Sequence, residues 1–247
     1  MARSLSLLLA LAASLCLPQL ALAFNVYTVG GDAACPYANI QDAIDAAAGN
    51  PGEDYVFIAT NGAYGNQHLV VANQDVDIIG GFPDCSQLGD PGSVQTTIAG
   101  TSGHSVFEIE GNSHVFVRNL FIRGGDLDGD HSGGGIYFGG QGGLELANTT
   151  VSLNTAGYGG GIDVNGSSGP ATLRLDADTL VLNNTASVSG GGIRIEGDTR
   201  LYVLQPNTLI GFNHAPNGYG GGIEVLGPAR ADIGSPGYNG SAVIQFN

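Results

Sequence analysis

Four times the chain writes Gly-Gly-Gly-Ile, at 133–136, 159–162, 190–193 and 220–223. The four isoleucines are 26, 31 and 30 residues apart. A period of this length belongs to solenoids, propellers and other repeat arrays. Each glycine run opens a short alternating segment: Ile136-Tyr137-Phe138, Ile162-Asp163-Val164, Ile193-Arg194-Ile195 and Ile223-Glu224-Val225. The first and third residues are apolar and the second is mostly charged, which is the signature of a strand with one buried and one wet face. Glycine recurring just before such a strand predicts a stacked turn, where backbones approach too closely for a Cβ.

Two further ladders keep the same period. Asn119, Asn148, Asp178 and Asn207 lie 29, 30 and 29 residues apart, and the last three open related Asn/Asp-Thr strings. Six residues later come Asn154, Asn184 and Asn213, each two before an alanine. Asn and Asp bond to local backbone in turns, and identical amides stacked along an axis also bond to one another. Both ladders are therefore expected to be structural.

Three short strands and three turns fit a period of about 30 residues, with successive coils at the parallel-strand spacing of ~4.8 Å. The expected fold is all-β, a right-handed parallel β-helix (solenoid). Helical repeats are excluded by the Gly, Asn and Thr content of the repeat, and a propeller blade needs about 40 to 45 residues. Asn39 to Ala48 reads as a short helix with Ile40, Ala43, Ile44 and Ala47 on one face. At the N-terminal end of the array such a helix is expected to cap an open sheet edge. Strands are expected at Val26–Val29, Tyr55–Ala59, His68–Val71 and Val76–Ile79, and a turn over Gly80–Cys85.

Residues 1–23 read as a secretory signal peptide: Met1-Ala2-Arg3, an apolar run from Leu5 to Leu17, and Ala21-Leu22-Ala23 before the cleavage point. Cys16 follows a bulky Leu15, unlike the small residue expected before a lipid-modified cysteine. The mature domain spans 24–247, with cap and first coil over 24–90 and repeated coils over 91–247. No transmembrane helix is expected in it. Of three cysteines, Cys35 and Cys85 survive cleavage, and in an oxidising compartment they are expected to pair. Seven basic residues, all arginine, stand against 22 acidic ones, a net charge of −15. Nucleic acid and anionic membranes need a basic footprint and are excluded as partners. The final asparagine, Asn247, falls where the second asparagine ladder would next place one, so the chain is expected to stop in mid-coil.

The order strand, Tyr37-Ala38-Asn39-Ile40-Gln41-Asp42-Ala43-Ile44, strand, Gly62-Ala63-Tyr64, strand, Gly80-Gly81-Phe82 resembles the N-terminal region of right-handed parallel β-helix proteins of the pectin-lyase-like superfamily. The asparagines before each glycine run resemble motifs of bacterial polymorphic outer-membrane and autotransporter-passenger proteins. Together these resemblances span nearly all of the mature chain. They imply a secreted or surface-displayed scaffold, with functions ranging from polysaccharide lyases and hydrolases to non-catalytic adhesins, and a polysaccharide or a host or cell surface as partner.

Chemistry is sparse. Asp126, Asp128 and Asp130 place three hard oxygen ligands at alternate positions in a turn and are the calcium candidate, the one cofactor considered. Asp163, Arg194 and Glu224 are expected to form an outward column, an exposed salt-bridged ladder worth little energy. His68, His104, His114, His131 and His214 lack zinc-ligand spacing and are expected in surface or turn positions. The Gly-His-Gly of polygalacturonases and the Gly-Tyr-Gln-Asp-Thr string of pectin methylesterases are both missing, and no catalytic residue is assigned. The leading expectation is a non-catalytic adhesin or passenger stalk, with a lyase or hydrolase acting on uronate polymers in a lateral groove as the alternative.

Overall fold

The computed structural model describes residues 24–50, 52–203, 205–234, 243–245 and 247. The signal-peptide segment and Cys16 lie outside the described residues. The described residues are mostly β, with parallel strands in three rows and a separate parallel pair, Thr155–Tyr158 with Thr185–Ser189. Row one holds Leu69–Ala72 and Phe107–Glu110 and then the strand after each glycine run: Ile136–Phe138, the first parts of Ile162–Leu175 and Ile193–Val203, and Ile223–Val225. Row two holds Val26–Val29, Glu53–Ala59, Asp75–Phe82, Asn112–Arg118, Gln141–Ala147, the second parts of the same two long strands, and Arg230–Ile233. Row three runs from Tyr64–Gln67 through Thr96–Gly100, Leu120–Arg123, Thr150–Ser152, Leu180–Leu182 and Leu209–Gly211 to Val243–Gln245.

In every row a strand pairs in parallel with its counterpart in the next repeat, and the equivalent isoleucines are direct partners: Ile136 with Ile162, Ile162 with Ile193, and Ile193 with Ile223. The long strands Ile162–Leu175 and Ile193–Val203 join rows one and two into one curled sheet. This stacking is compatible with a solenoid. The alternating apolar side chains of all three rows enter a single core, where Ile136, Phe138, Leu144, Leu146 and Val151 are fully or almost fully buried, while in the last repeat the equivalent Val225, Ile233 and Ile244 are exposed.

The glycine runs behave as the strand pattern requires. Gly159 takes φ +54, where a side chain is strained. A Cβ on Gly160 would stand 2.3 Å from the Thr185 carbonyl oxygen and 2.7 Å from that of Gly191. That closeness lets the glycine backbones bond directly from repeat to repeat, Gly160 N to Gly190 O at 3.1 Å and Gly191 N to Gly220 O at 3.0 Å.

Both asparagine ladders are structural, in different ways. Asn119, Asn148, Asp178 and Asn207 all sit at positive φ, at the corner between rows two and three. The threonine after each of the last three is buried and its hydroxyl donates to a carbonyl of the preceding repeat, as in Thr179 Oγ1 to Leu146 O at 3.0 Å. The second ladder is a continuous chain of buried amides. Asn154 Nδ2 donates to Asn184 Oδ1 at 3.0 Å, Asn184 Nδ2 to Asn213 Oδ1 at 3.0 Å, and Asn213 Nδ2 to Asn247 Oδ1 at 3.2 Å. Each Oδ1 also accepts the backbone N–H of the preceding asparagine, and each Nδ2 also donates to a backbone carbonyl one repeat back. Asparagine alone among the small polar side chains supplies both the acceptor and the two donors.

The helix Ile40–Ala48 buries Ile40, Ala43, Ile44 and Ala47 on the core, and the Asn39 side chain caps its N-terminus. Gln41 completes the cap: its amide accepts from Val70 N at 2.8 Å and donates to Val70 O at 3.0 Å, which satisfies the free edge of row one. Cys35 and Cys85 form a disulfide across 50 residues of sequence, tying this cap to the loop after Asp75–Phe82. Closing a loop of that length contributes roughly 3 to 4 kcal/mol.

Two local expectations are corrected. Gly80, Gly81 and Phe82 are not turn residues but the end of the strand Asp75–Phe82. A Cβ on Gly80 would meet Leu120 Cδ2 at 2.5 Å, so glycine here serves close packing of row three on row two. The strand expected at His68–Val71 lies at Leu69–Ala72, with His68 just outside it.

Replacing Asn184 with alanine strips partners from the Asn154 backbone N–H and Nδ2 and from Asn213, all of them buried. At about 1–3 kcal/mol for each buried group left unsatisfied, Asn184→Ala is expected to cost about 3 kcal/mol or more. Urea denaturation of the variant beside the wild type measures it.

Candidate functional site: the lateral face of row one

The outward residues of row one form an unbroken column of direct strand partners: Glu108, Tyr137, Asp163, Arg194 and Glu224. The Arg194 guanidinium organises its lower half. Nη1 lies 3.3 Å from Asp163 Oδ1, Nη2 lies 2.5 Å from Glu196 Oε2, and Nε stands 3.5 Å from Glu224 Oε2 without hydrogen-bonding it. The Tyr158 ring packs against the guanidinium at 4.7 Å, a cation–π contact. Ser189 Oγ donates to Glu224, and Asn165 Nδ2 donates to Glu196 at 2.7 Å.

The ladder is ion-paired as the spacing predicts, but it is not exposed. Side-chain exposure is 1% for Asp163 and 11% for both Arg194 and Glu224. The covering comes from Tyr158 and Ser189, which stand immediately before glycine runs. That repeated position, with Ser132 and Tyr219 as its other members, was the legible signal for it. Burial raises the Asp163 carboxyl to about 6 against the pull of Arg194 and of a hydrogen bond from Ser132. Burial acts to lower Arg194, but the charges of Asp163 and Glu196 outweigh it and leave the guanidinium raised.

Above this ladder the face opens into a cleft of about 430 Å³, lined by His104, Glu108, Asp130, His131, Ser132 and Tyr137 among others. His68 Nε2 lies 2.8 Å from Glu108 Oε2, and the His68 and His104 rings stack at 4.3 Å. Burial, reinforced by the charges of Asp163 and Glu108, raises the Tyr137 hydroxyl. An imidazole on a carboxylate beside a second imidazole is equipped to hold and pass a proton. The histidine spacing in the sequence gave no sign of this pairing, because His68 and Glu108 are 40 residues apart and meet only through the stacking of repeats.

The calcium candidates do not gather around one centre. Asp126, Asp128 and Asp130 are all exposed. Asp126 accepts from Ser102 Oγ at 3.4 Å, the Asp128 carbonyl contacts His131 Nδ1 at 2.7 Å, and Asp130 alone reaches the cleft. Among the described residues no group of three or more His, Cys, Asp or Glu is placed to hold a metal ion, and no helix is long and apolar enough to cross a membrane. Comparison with protein families, curated proteins and solved structures returned no match to this chain.

Breaking the ladder strands buried charge. Arg194→Met is expected to cost about 3–5 kcal/mol, and Asp163→Leu in the same chain to restore much of it, read as melting temperatures of single and double variants. The raised Asp163 carboxyl also sets a pH dependence. Between about pH 4 and 6 the unfolded chain releases this proton before the folded one, so its contribution to stability falls as pH rises, by on the order of 3 kcal/mol. In the Asp163→Asn variant this part of the slope is expected to vanish.

Proposed function

We propose that the chain is a right-handed parallel β-helix of the pectin-lyase-like type, secreted or displayed at a bacterial surface. It acts without catalysis through its lateral face, in adhesion or as a passenger stalk, with polysaccharide or a cell surface as partner. The observation that carries this reading is the state of the row-one column: Arg194 is shared by Asp163, Glu196 and Glu224, so these groups hold repeats together instead of facing a substrate. The disulfide fits an oxidising compartment, and the acidic composition suits a partner other than nucleic acid or anionic lipid.

A second reading, hydrolysis or lysis of a uronate-containing polymer, is favoured by the His68–Glu108 pair beside His104 in the upper cleft. The two readings separate on incubation of the purified protein with a panel of polysaccharides, uronate polymers included, with and without calcium. Binding to immobilised glycan with no new reducing or unsaturated ends is the expected outcome. Reproducible chain cleavage that Glu108→Gln or Asp126→Ala abolishes establishes the enzyme instead.

A further inference from the structure

Row two carries an outward face of its own, separate from the column above. Direct partners in successive repeats run Tyr55, Asp77, Phe116, Glu145, Arg174, and beside them Glu53, Asp75, His114, Gly143, Thr172. All of these residues except Tyr55 line an open cleft of about 380 Å³, with Phe116 and Gly143 at neighbouring positions in it. With repeats ~4.8 Å apart, Asp77 and Glu145 stand on either side of Phe116 with backbones about 10 Å from each other.

The charges around the cleft are unevenly matched. Asp75 lies 3.0 Å from His114 Nδ1, and Glu145 shares Arg174 with Asp176, at 3.8 Å and 2.9 Å. Asp77 has no such cation: its hydrogen-bond partner is the carboxyl of Glu53, and the charges acting on it are those of Glu53 and Glu145. Burial first, then these like charges, push it up to about 7, so the charged form of Asp77 is disfavoured while no cation stands beside it. An anionic sugar would be repelled. A small hard cation needs several oxygens converging on one point, which the described carboxylates do not supply. A bulky organic cation is different, because an aromatic ring and dispersed carboxylates together match its diffuse charge and apolar body.

We propose that this cleft binds an organic ammonium group, seated against Phe116 between the carboxylates of Asp77 and Glu145. A fixed positive charge there favours the ionised form of Asp77. The same chemistry occurs in a choline-type headgroup and in the glucosamine unit of a deacetylated amino-sugar polymer. The site is on a different face from the row-one column, so its fate is independent of the reading given above.

The test is isothermal titration of the full chain at low salt with choline chloride and with glucosamine hydrochloride. Neutral 3,3-dimethylbutan-1-ol and N-acetylglucosamine are the matched controls. Saturable heat from either cation and none from its neutral partner is the expected result, and the stronger of the two identifies the source. Because choline does not titrate, its affinity is expected to fall up to about tenfold per pH unit below about pH 7, as Asp77 takes back its proton. Asp77→Asn is expected to weaken binding at least tenfold and to flatten that pH profile. Gly143→Leu tests the cavity without touching a charge: a Cβ there meets only His114 Cδ2, at an ordinary 3.6 Å, so the fold is expected to tolerate it while the side chain fills the cleft. No saturation by either cation at tens of millimolar, equal binding of the neutral compounds, or unchanged affinity in both variants, each with a wild-type melting temperature, overturns the proposal.

Discussion

Each repeat completes the hydrogen bonding of the one before it, and that dependence underlies every other feature of the molecule. Parallel strands leave no backbone group satisfied within a single repeat, so a strand such as Ile136–Phe138 is stable only between Phe107–Glu110 and Ile162–Val164. The buried asparagines extend the same rule to side chains, since the amide of Asn184 takes its partners from the repeats on both sides. Removing water from such a chain is tolerable only because it has no gaps. Stability in a stack of this kind is a sum of neighbour terms. The capping helix, with Gln41 standing in for a strand at Val70, closes the sum where a neighbour is missing.

The same stacking explains the two clefts. Side chains far apart in sequence become neighbours at the strand spacing, and any outward position repeats as a column. Where a column alternates in sign, as Asp163, Arg194 and Glu224 do, the charges satisfy one another and the face closes. Where carboxylates outnumber cations, as around Phe116, like charges are left facing one another and raise Asp77, and the face stays open as a cleft. Whether a column closes or stays open thus depends on its own charges and on the residues that turn over it, as Tyr158 and Ser189 do.

The architecture was largely legible because its signals are ones only side-chain chemistry can send: glycine where a Cβ has no room, asparagine where an amide must both give and receive, isoleucine on alternate positions. The position of Asn247 was foretold by the ladder and is occupied as the ladder requires. What escaped were features that depend on packing between repeats. Tyr64–Gln67 and Thr155–Tyr158 are strands with too little apolar alternation to announce themselves. The burial of the column goes with Ser132 at Asp163, Tyr158 on Arg194 and Ser189 at Glu224, and no pattern within the strands themselves reports that. The His68–Glu108 pair and the Asp77–Phe116–Glu145 triplet each required the register between repeats, which spacing gives only to within a residue.

The amide ladder also has a direction. From Asn154 to Asn247 every Oδ1 points toward the earlier repeat and every shared Nδ2 hydrogen toward the later one. A cut between the Asn154 and Asn184 repeats leaves two donors of Asn154 beside the Val151 carbonyl on one surface, and the Oδ1 beside the second Nδ2 hydrogen of Asn184 on the other. The two surfaces carry different patterns of donors and acceptors, and the rungs of this stack complement each other head to tail. Association through them has the geometry of an open, polar filament and not of a closed symmetric pair.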